Sequence, residues 1–315
     1  MALKGCSILV TGPAGQIAFP LAARLARENE VWGIARFADP ASRRRVEEAG
    51  ITTRVVDLAA PDWSGLPERF DYVLHLAAVI PPGLDYDATM RINAGGTGHL
   101  MRRFRNARAC LVMSTCGVYQ PPDDPAHAVR ESDPLGVSHQ PYAPTYCVSK
   151  IAQEAVARFA AEAYGLPTTI ARMNAAYGDN GGLPAILLEM ILAGRPIPLP
   201  TGRAAIASPI HEDDIFAHTP GLLPAARPGA ITVCSGLRGG AQAGGVRSSS
   251  GCRAVTKRRM PSRQSTRQGP ASSRRRVASR RNCVMPSGDS RNRTSRPAPV
   301  GRGEVDDAGR DTGLL

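Results

Sequence analysis

Ser7-Ile8-Leu9-Val10-Thr11-Gly12-Pro13-Ala14-Gly15-Gln16-Ile17-Ala18 is the stretch that decides the fold. Ser7 to Thr11 is a short apolar run of the kind that forms a buried strand. Gly12 permits a tight turn directly after it. From Gly15 the apolar residues Ile17, Leu21 and Leu25 recur every four positions, which predicts a helix from Gly15 to Glu28. A strand, a glycine turn and a helix start together present free N–H groups to a phosphate. Ala18 stands where this pattern accepts Gly or Ala for close helix packing. Gly12, Gly15, Gln16 and Ile17 are therefore candidate contacts for a dinucleotide pyrophosphate.

The same alternation continues along the chain. Strands are expected at 31–35, 51–56, 72–78, 110–114 and 168–172, and helices at 41–49, 85–105 and 146–164. Gly95, Gly96 and Gly98 weaken the middle of the 85–105 helix. Continuous apolar strands separated by helices describe a parallel sheet covered on both faces. Right-handed crossovers make it a Rossmann-like, doubly wound α/β fold. From Asn174 the pattern loosens into a helix at 184–193, a Pro-rich turn at 196–200 and a short helix from Glu212. The expected division is a nucleotide-binding domain with the catalytic motif over 1–173, a partial, truncated substrate lobe over 174–236, and a tail over 237–315.

The net charge of +12 over 315 residues suggests a nucleic-acid or membrane partner until it is mapped. Residues 237–315 hold 18 of the 39 Lys and Arg and 5 of the 27 Asp and Glu, leaving 1–236 at a net −1. The basic character is thus a property of the tail. That tail contains no Phe, Trp or Tyr and is dominated by Arg, Ser, Gly and Pro, a composition that predicts disorder. Its abrupt start is also what a GC-rich gene translated in a shifted frame would produce. Seven scattered cysteines with no Cys-x-x-Cys pair favour reduced thiols and a cytoplasmic location, and no metal site is expected. Met1-Ala2-Leu3-Lys4 runs straight into the first strand, so no signal peptide is expected. No apolar run reaches the roughly 20 residues of a membrane span.

The second strand ends Gly33-Ile34-Ala35-Arg36-Phe37, without the acid that would bind a ribose 2′-OH. Arg36 stands there instead, and its planar fork suits a 2′-phosphate. The cofactor expected is NADP or NAD, with Arg36 favouring NADP; a solvated Arg beside Arg43, Arg44 and Arg45 is the alternative.

Tyr146 and Lys150 lie four residues apart in a predicted helix and so project from one face. A nearby cation favours the phenolate of a tyrosine, whose unperturbed pKa is about 10. Such a phenol can exchange a proton with a substrate hydroxyl. Lysine is rare here, with Lys4, Lys150 and Lys257 the only three, which lowers the chance that the pairing is accidental.

With these motifs in order, residues 7–235 resemble the extended short-chain dehydrogenase/reductases, the NAD-dependent epimerase/dehydratase family. Thr11-Gly12-x-x-Gly15-x-x-Ala18 resembles the family's nucleotide loop, although Gly is more usual at its end. Asp57-Leu58 resembles the acid-aliphatic pair near the adenine, and Leu74-His75-Leu76-Ala77-Ala78 the segment lining the cofactor. Asn93, ahead of Gly96-Thr97, resembles a helix asparagine that supports the site. Ser114-Thr115-Cys116-Gly117-Val118-Tyr119 resembles the end of the fifth strand. Tyr146-Cys147-Val148-Ser149-Lys150 matches the active-site motif. Arg172-Met173-Asn174-Ala175-Ala176-Tyr177-Gly178 is similar to the substrate-side turn, with Met where Pro is usual, and His211-Glu212-Asp213-Asp214-Ile215 to a late motif. By position, the resemblance implies that Thr115 bonds the substrate oxygen, Tyr146 is the acid/base, Lys150 holds the ribose, and Asn174 touches substrate. It assigns Asp57, Leu58, Leu76, Ala77, Ala78 and Asn93 to the cofactor side, and implies a homodimer through the helices at 85–105 and 146–164. His75, in a buried strand, reads as a satisfied core histidine.

The leading reading is an NAD(P)-dependent oxidoreductase or epimerase-type enzyme. It would move hydride between nicotinamide and a carbonyl or secondary-alcohol carbon of a small molecule such as a nucleotide sugar. A dinucleotide-binding protein without turnover, acting as sensor or scaffold, is the alternative. Nucleic-acid binding through the basic tail would be non-specific and salt-sensitive, with no aromatic residue for base stacking.

Overall fold

The structure, a computed structural model, describes residues 3–80, 85–124, 127–136, 144–197, 209–223 and the backbone of 231–235. The expectations for 237–315, and part of the Pro-rich turn at 196–200, lie outside the described residues. The main layer is a parallel sheet. Its strands are β1 (Ser7–Thr11), β2 (Glu30–Ala35), β3 (Thr52–Val55), β4 (Tyr72–His75), β5 (Ala109–Thr115), β6 (Thr168–Met173) and β10 (Ile231–Ser235). The order across it is β10-β6-β5-β4-β1-β2-β3. The chain reverses its direction of travel between β1 and β4, and ligands of such sheets bind beyond the strand C-termini at that switch.

Alternate side chains of each strand enter opposite cores, which is why the strands read as unbroken apolar runs. Ile8 and Val10 of β1 pack with Leu74 and Leu111 against Leu21, Ala22 and Leu25 of α1 (Ala18–Leu25) and Val46 of α2 (Pro40–Glu48). Leu9 packs with Val73, Val112 and Ile170 on the other face. That face is covered by Leu100, Met101 and Phe104 around α4 (Gly96–Arg103) and by Ala157, Ala160 and Ala161 of α5 (Tyr146–Tyr164). Asp39 caps α2 by accepting from Ala41 N and Ser42 N, and Gly165, at φ 66°, ends α5.

The expected helix at 85–105 is a composite. α3 (Tyr86–Met90) passes through a π turn, Arg91–Gly95, into α4, and Gly96 N–H reaches back five residues to Arg91 O. A Cβ on Gly96 would lie 2.9 Å from Leu58 Cβ, so the glycine permits close helix packing and is more than a weak point. The helix expected from Gly15 starts regular geometry only at Ala18, and β4 ends at His75.

Beyond β6, a small sheet has the order β8-β7-β9, from β7 (Ala176–Gly178), β8 (Gly181–Gly182) and β9 (Ile210–His211). Two helices accompany it, α6 (Leu183–Leu192) and α7 (Glu212–Leu222). Arg24 of α1 ion-pairs with Asp213 and lies near Glu212, which ties α7 to the main layer. No helix of the described residues is long and apolar enough to cross a membrane.

Candidate active site

At the end of β1, Gly12 takes φ 65°, in the left-handed region. Its N–H donates to Ile34 O at 2.8 Å, and Gly15 N–H returns to Gly12 O at 2.9 Å. A Cβ on Gly12 would stand 3.0 Å from Ala77 Cα, so the loop touches the segment after β4 only because that side chain is missing. No side chain caps the start of α1. The arrangement fits a pyrophosphate, which would meet backbone N–H groups at a helix start.

A clamp that sequence reasoning missed holds this loop. Gln16 Nε2 donates to Ala176 O at 2.9 Å, and Asn180 Nδ2 donates to Gln16 O at 2.9 Å. Arg45 donates to Asn180 Oδ1 at 2.6 Å and stacks 3.7 Å above the Phe19 ring. These contacts join residues up to 164 positions apart, so no local pattern could announce them.

At the end of β2, Arg36 is exposed, and Phe37 takes φ 47°. Asp39, the nearest acid, is occupied as the cap of α2. Asp57 is exposed and accepts from Ala59 N at 2.9 Å, and Leu58 is buried beneath Gly96. Leu76 and Ala77 are half-buried beyond β4, and Ala78 is exposed.

Tyr146 opens α5 and Lys150 follows one turn later. Lys150 is 2% exposed; its Nζ donates to Met113 O at 2.7 Å and lies 5.9 Å from the Tyr146 ring centre. Burial lowers the Lys150 pKa to about 7, against the opposing pull of the Glu154 carboxylate. Two residues beyond Met113, Thr115 ends β5, and its Oγ1 accepts from Gly117 N at 3.1 Å. Thr115 registers with Met173 of β6, which brings Asn174 to the same rim. Asn174 Oδ1 accepts from Ala175 N at 2.8 Å. The strand and helix ends thus gather Thr115, Tyr146, Lys150 and Asn174 at the C-terminal side of the sheet.

Buried polar groups brace this rim. Asn93, in the π turn, pairs with both backbone groups of Val79, at 2.8 and 3.0 Å, and donates to Ser149 Oγ at 2.9 Å. Ser149 Oγ donates to Tyr146 O at 2.7 Å. His75 lies between Thr11 and Thr97, at 2.8 and 2.7 Å. Burial, then the nearby Lys150 charge, lowers its pKa to about 3, so the ring is neutral near pH 7. Beneath Thr115, Ser114 Oγ donates to Glu154 at 2.7 Å, and Arg172 grips the same carboxylate through two nitrogens. Burial disfavours the Arg172 charge, but Glu154 and Tyr119 more than offset it and raise its pKa.

A model of the NAD dependent epimerase/dehydratase family matches residues 8–216. No curated protein matches the chain. Among solved structures, the chain is similar to a dTDP-glucose 4,6-dehydratase from Streptomyces venezuelae solved with NAD. The TM-score is 0.59 at 25% identity, over 73% of this chain and 75% of that one. It is also similar to the UDP-glucuronic acid 4-epimerase of Bacillus cereus, in complex with UDP-glucuronic acid and NAD (TM-score 0.58, 22% identity, 72% and 76% coverage). A UDP-N-acetylglucosamine 4-epimerase from Methanobrevibacter ruminantium M1 in complex with UDP-N-acetylmuramic acid is similar in fold (TM-score 0.58, 19% identity, 74% and 77% coverage). The nucleotide loop, the strand order and a family match spanning both the Gly12 turn and the Tyr146-x-x-x-Lys150 motif agree: this chain belongs to the NAD dependent epimerase/dehydratase family.

Proposed function

We propose that the chain is an epimerase, dehydratase or reductase acting on a nucleoside-diphosphate hexose, with Thr115, Tyr146 and Lys150 as its catalytic set. The observation that carries this is the buried Lys150 ammonium one helical turn from Tyr146, on the strand end that carries Thr115. Tyr146 Oη takes the proton from a sugar hydroxyl as its carbon is oxidised, and returns it in the reverse step. Thr115 Oγ1 donates to the same substrate oxygen, and Lys150 favours the phenolate electrostatically. Asn174 lines the approach. The bound dinucleotide supplies the hydride acceptor. Gly12, Gly15, Gln16 and Ile17 would hold its pyrophosphate and Asp57 and Leu58 its adenosine end, with Leu76 to Ala78 on the opposite wall and Asn93 bracing that wall through Val79.

Two of the similar structures named above, the dehydratase and the Bacillus cereus epimerase, hold NAD. The preference of this chain rests on Arg36, exposed at the end of β2 with no free acid beside it, which supports NADP. Paired titrations with NADPH and NADH decide it, and equal affinity removes Arg36 from the role. A homodimer belongs to the same reading, since Phe159 on α5 is 69% exposed; a monomer mass in solution would dismiss it.

The deciding experiment incubates the full chain with dinucleotide and UDP- or dTDP-hexoses and follows the sugar by NMR. Turnover that Tyr146→Phe abolishes supports the proposal. Failure to bind either dinucleotide sinks it. Binding without turnover favours the second reading, a dinucleotide-binding protein that does no chemistry. One observation speaks for that reading: α6, with sequence LPAILLEMIL, has no buried residue among those described, and its Leu188, Ile191 and Leu192 are exposed.

A further inference from the structure

The hydrogen bonds around His75 have only one consistent direction. Thr11 Oγ1 accepts from Leu76 N at 3.1 Å and Ala77 N at 2.9 Å, which fills both of its lone pairs. Its hydroxyl hydrogen is left for His75 Nδ1, so that nitrogen accepts. The neutral ring then carries its proton on Nε2 and donates it to Thr97 Oγ1. Thr97 Oγ1 also accepts from Gln153 Nε2 at 2.9 Å and gives its own hydrogen to Asn93 O at 2.7 Å. Each hydroxyl is used fully, twice as acceptor and once as donor. With a proton on Nδ1, the ring would point a donor at an oxygen with no lone pair to spare.

The two ends of this chain lie at the two halves of the site. Thr11 precedes Gly12, and it holds the N–H of Ala77, against which Gly12 packs. Asn93 holds Ser149, which holds the carbonyl of Tyr146. Resting on the function proposed above, we infer that His75 is a positioning residue. In its Nε2–H tautomer it links the nucleotide loop to the first turn of α5 and so couples dinucleotide binding to the placement of Tyr146.

Thr97 is the member to remove, because valine keeps its shape and serine keeps its hydroxyl. Thr97→Val leaves three buried partners unmatched. We expect it to weaken dinucleotide binding and to lower kcat, each by about tenfold, the size of one lost buried hydrogen bond. Thr97→Ser should restore both to within about twofold. A merely structural role would lower the amount of folded protein and leave Kd and kcat of that fraction unchanged, which overturns the inference. The tautomer is read independently of any variant, by 15N NMR of histidine-labelled full-length protein. A bare Nδ1 and a protonated Nε2 on the buried ring support the inference, and the opposite tautomer overturns it even if Thr97→Val fails to fold. If the parent binds dinucleotide but turns nothing over, the proposed reaction fails on its own. Dinucleotide affinity and the tautomer then still decide the role of His75.

Discussion

Arg172 and Glu154 face each other across β6 and α5 as a two-point pair. Nε meets Oε1 at 2.9 Å and Nη2 meets Oε2 at 2.7 Å, with both side chains 2% exposed. Two charges withdrawn from water are tolerable only while each satisfies the other. Removing one should therefore cost far more than removing both. We expect Arg172→Met to lose about 3–5 kcal/mol of stability, and Arg172→Met with Glu154→Leu to recover most of it. Urea denaturation of both variants tests this; a double variant no more stable than the single would refute it.

Gly12 combines a left-handed backbone with a missing side chain against Ala77. Gly12→Ala should cost roughly 1–3 kcal/mol from backbone strain alone. It should also open the loop enough to reduce dinucleotide binding at least tenfold, about 1.4 kcal/mol. Isothermal titration with dinucleotide is the measurement, and unchanged affinity would dismiss the loop as the pyrophosphate site.

Tyr146→Phe removes the proton carrier and keeps the ring. Turnover should fall by about 10²–10⁴-fold, as expected for loss of a general acid/base. Fluorescence titration should give a dinucleotide Kd close to that of the parent, and a parent-like kcat would remove Tyr146 from the mechanism.

Lys150 and His75 give the stability a pH dependence whose sign can be worked out. Lys150 titrates near 7 in the folded chain and near 10.5 unfolded, so between these values the unfolded chain holds the extra proton. Stability contributed by this group should rise from pH 7 towards pH 10.5, and Lys150→Met should flatten that rise. His75 follows the same sign between about 3 folded and 6.5 unfolded. Its contribution should be full above pH 6.5 and lost as the pH falls towards 3. Denaturant midpoints at pH 4, 6, 7 and 9 would show both slopes, and a pH-independent midpoint would contradict them.

Much of the fold was legible in the sequence. β1 occupies Ser7–Thr11 as expected, and α5 runs from Tyr146 to Tyr164, because apolar periodicity and glycine punctuation are local signals. The local pattern marks no element at Ile231–Ser235, yet this stretch pairs with β6 as the edge strand of the sheet. Unlike β1, this stretch is followed by no apolar helical periodicity that would mark it as one strand of the alternating series. In the local pattern Gly96 is a weak point of a helix; its value lies in the approach of Leu58, a contact with a loop distant in sequence.

By itself the sequence determined the order of strands and helices, the glycine turn at the end of β1, and the placing of Tyr146 and Lys150 on one helix face. All of these depend on neighbours within a few positions. Only the tertiary structure decided that Lys150 reaches the carbonyl of Met113, 37 residues away. It also set the tautomer of His75, through a threonine 64 residues earlier, and brought Asn180 onto the nucleotide loop from 164 residues away. A hydrogen-bond partner in a buried site is chosen by which strand ends the sheet brings together, and that choice has no local signature in the chain.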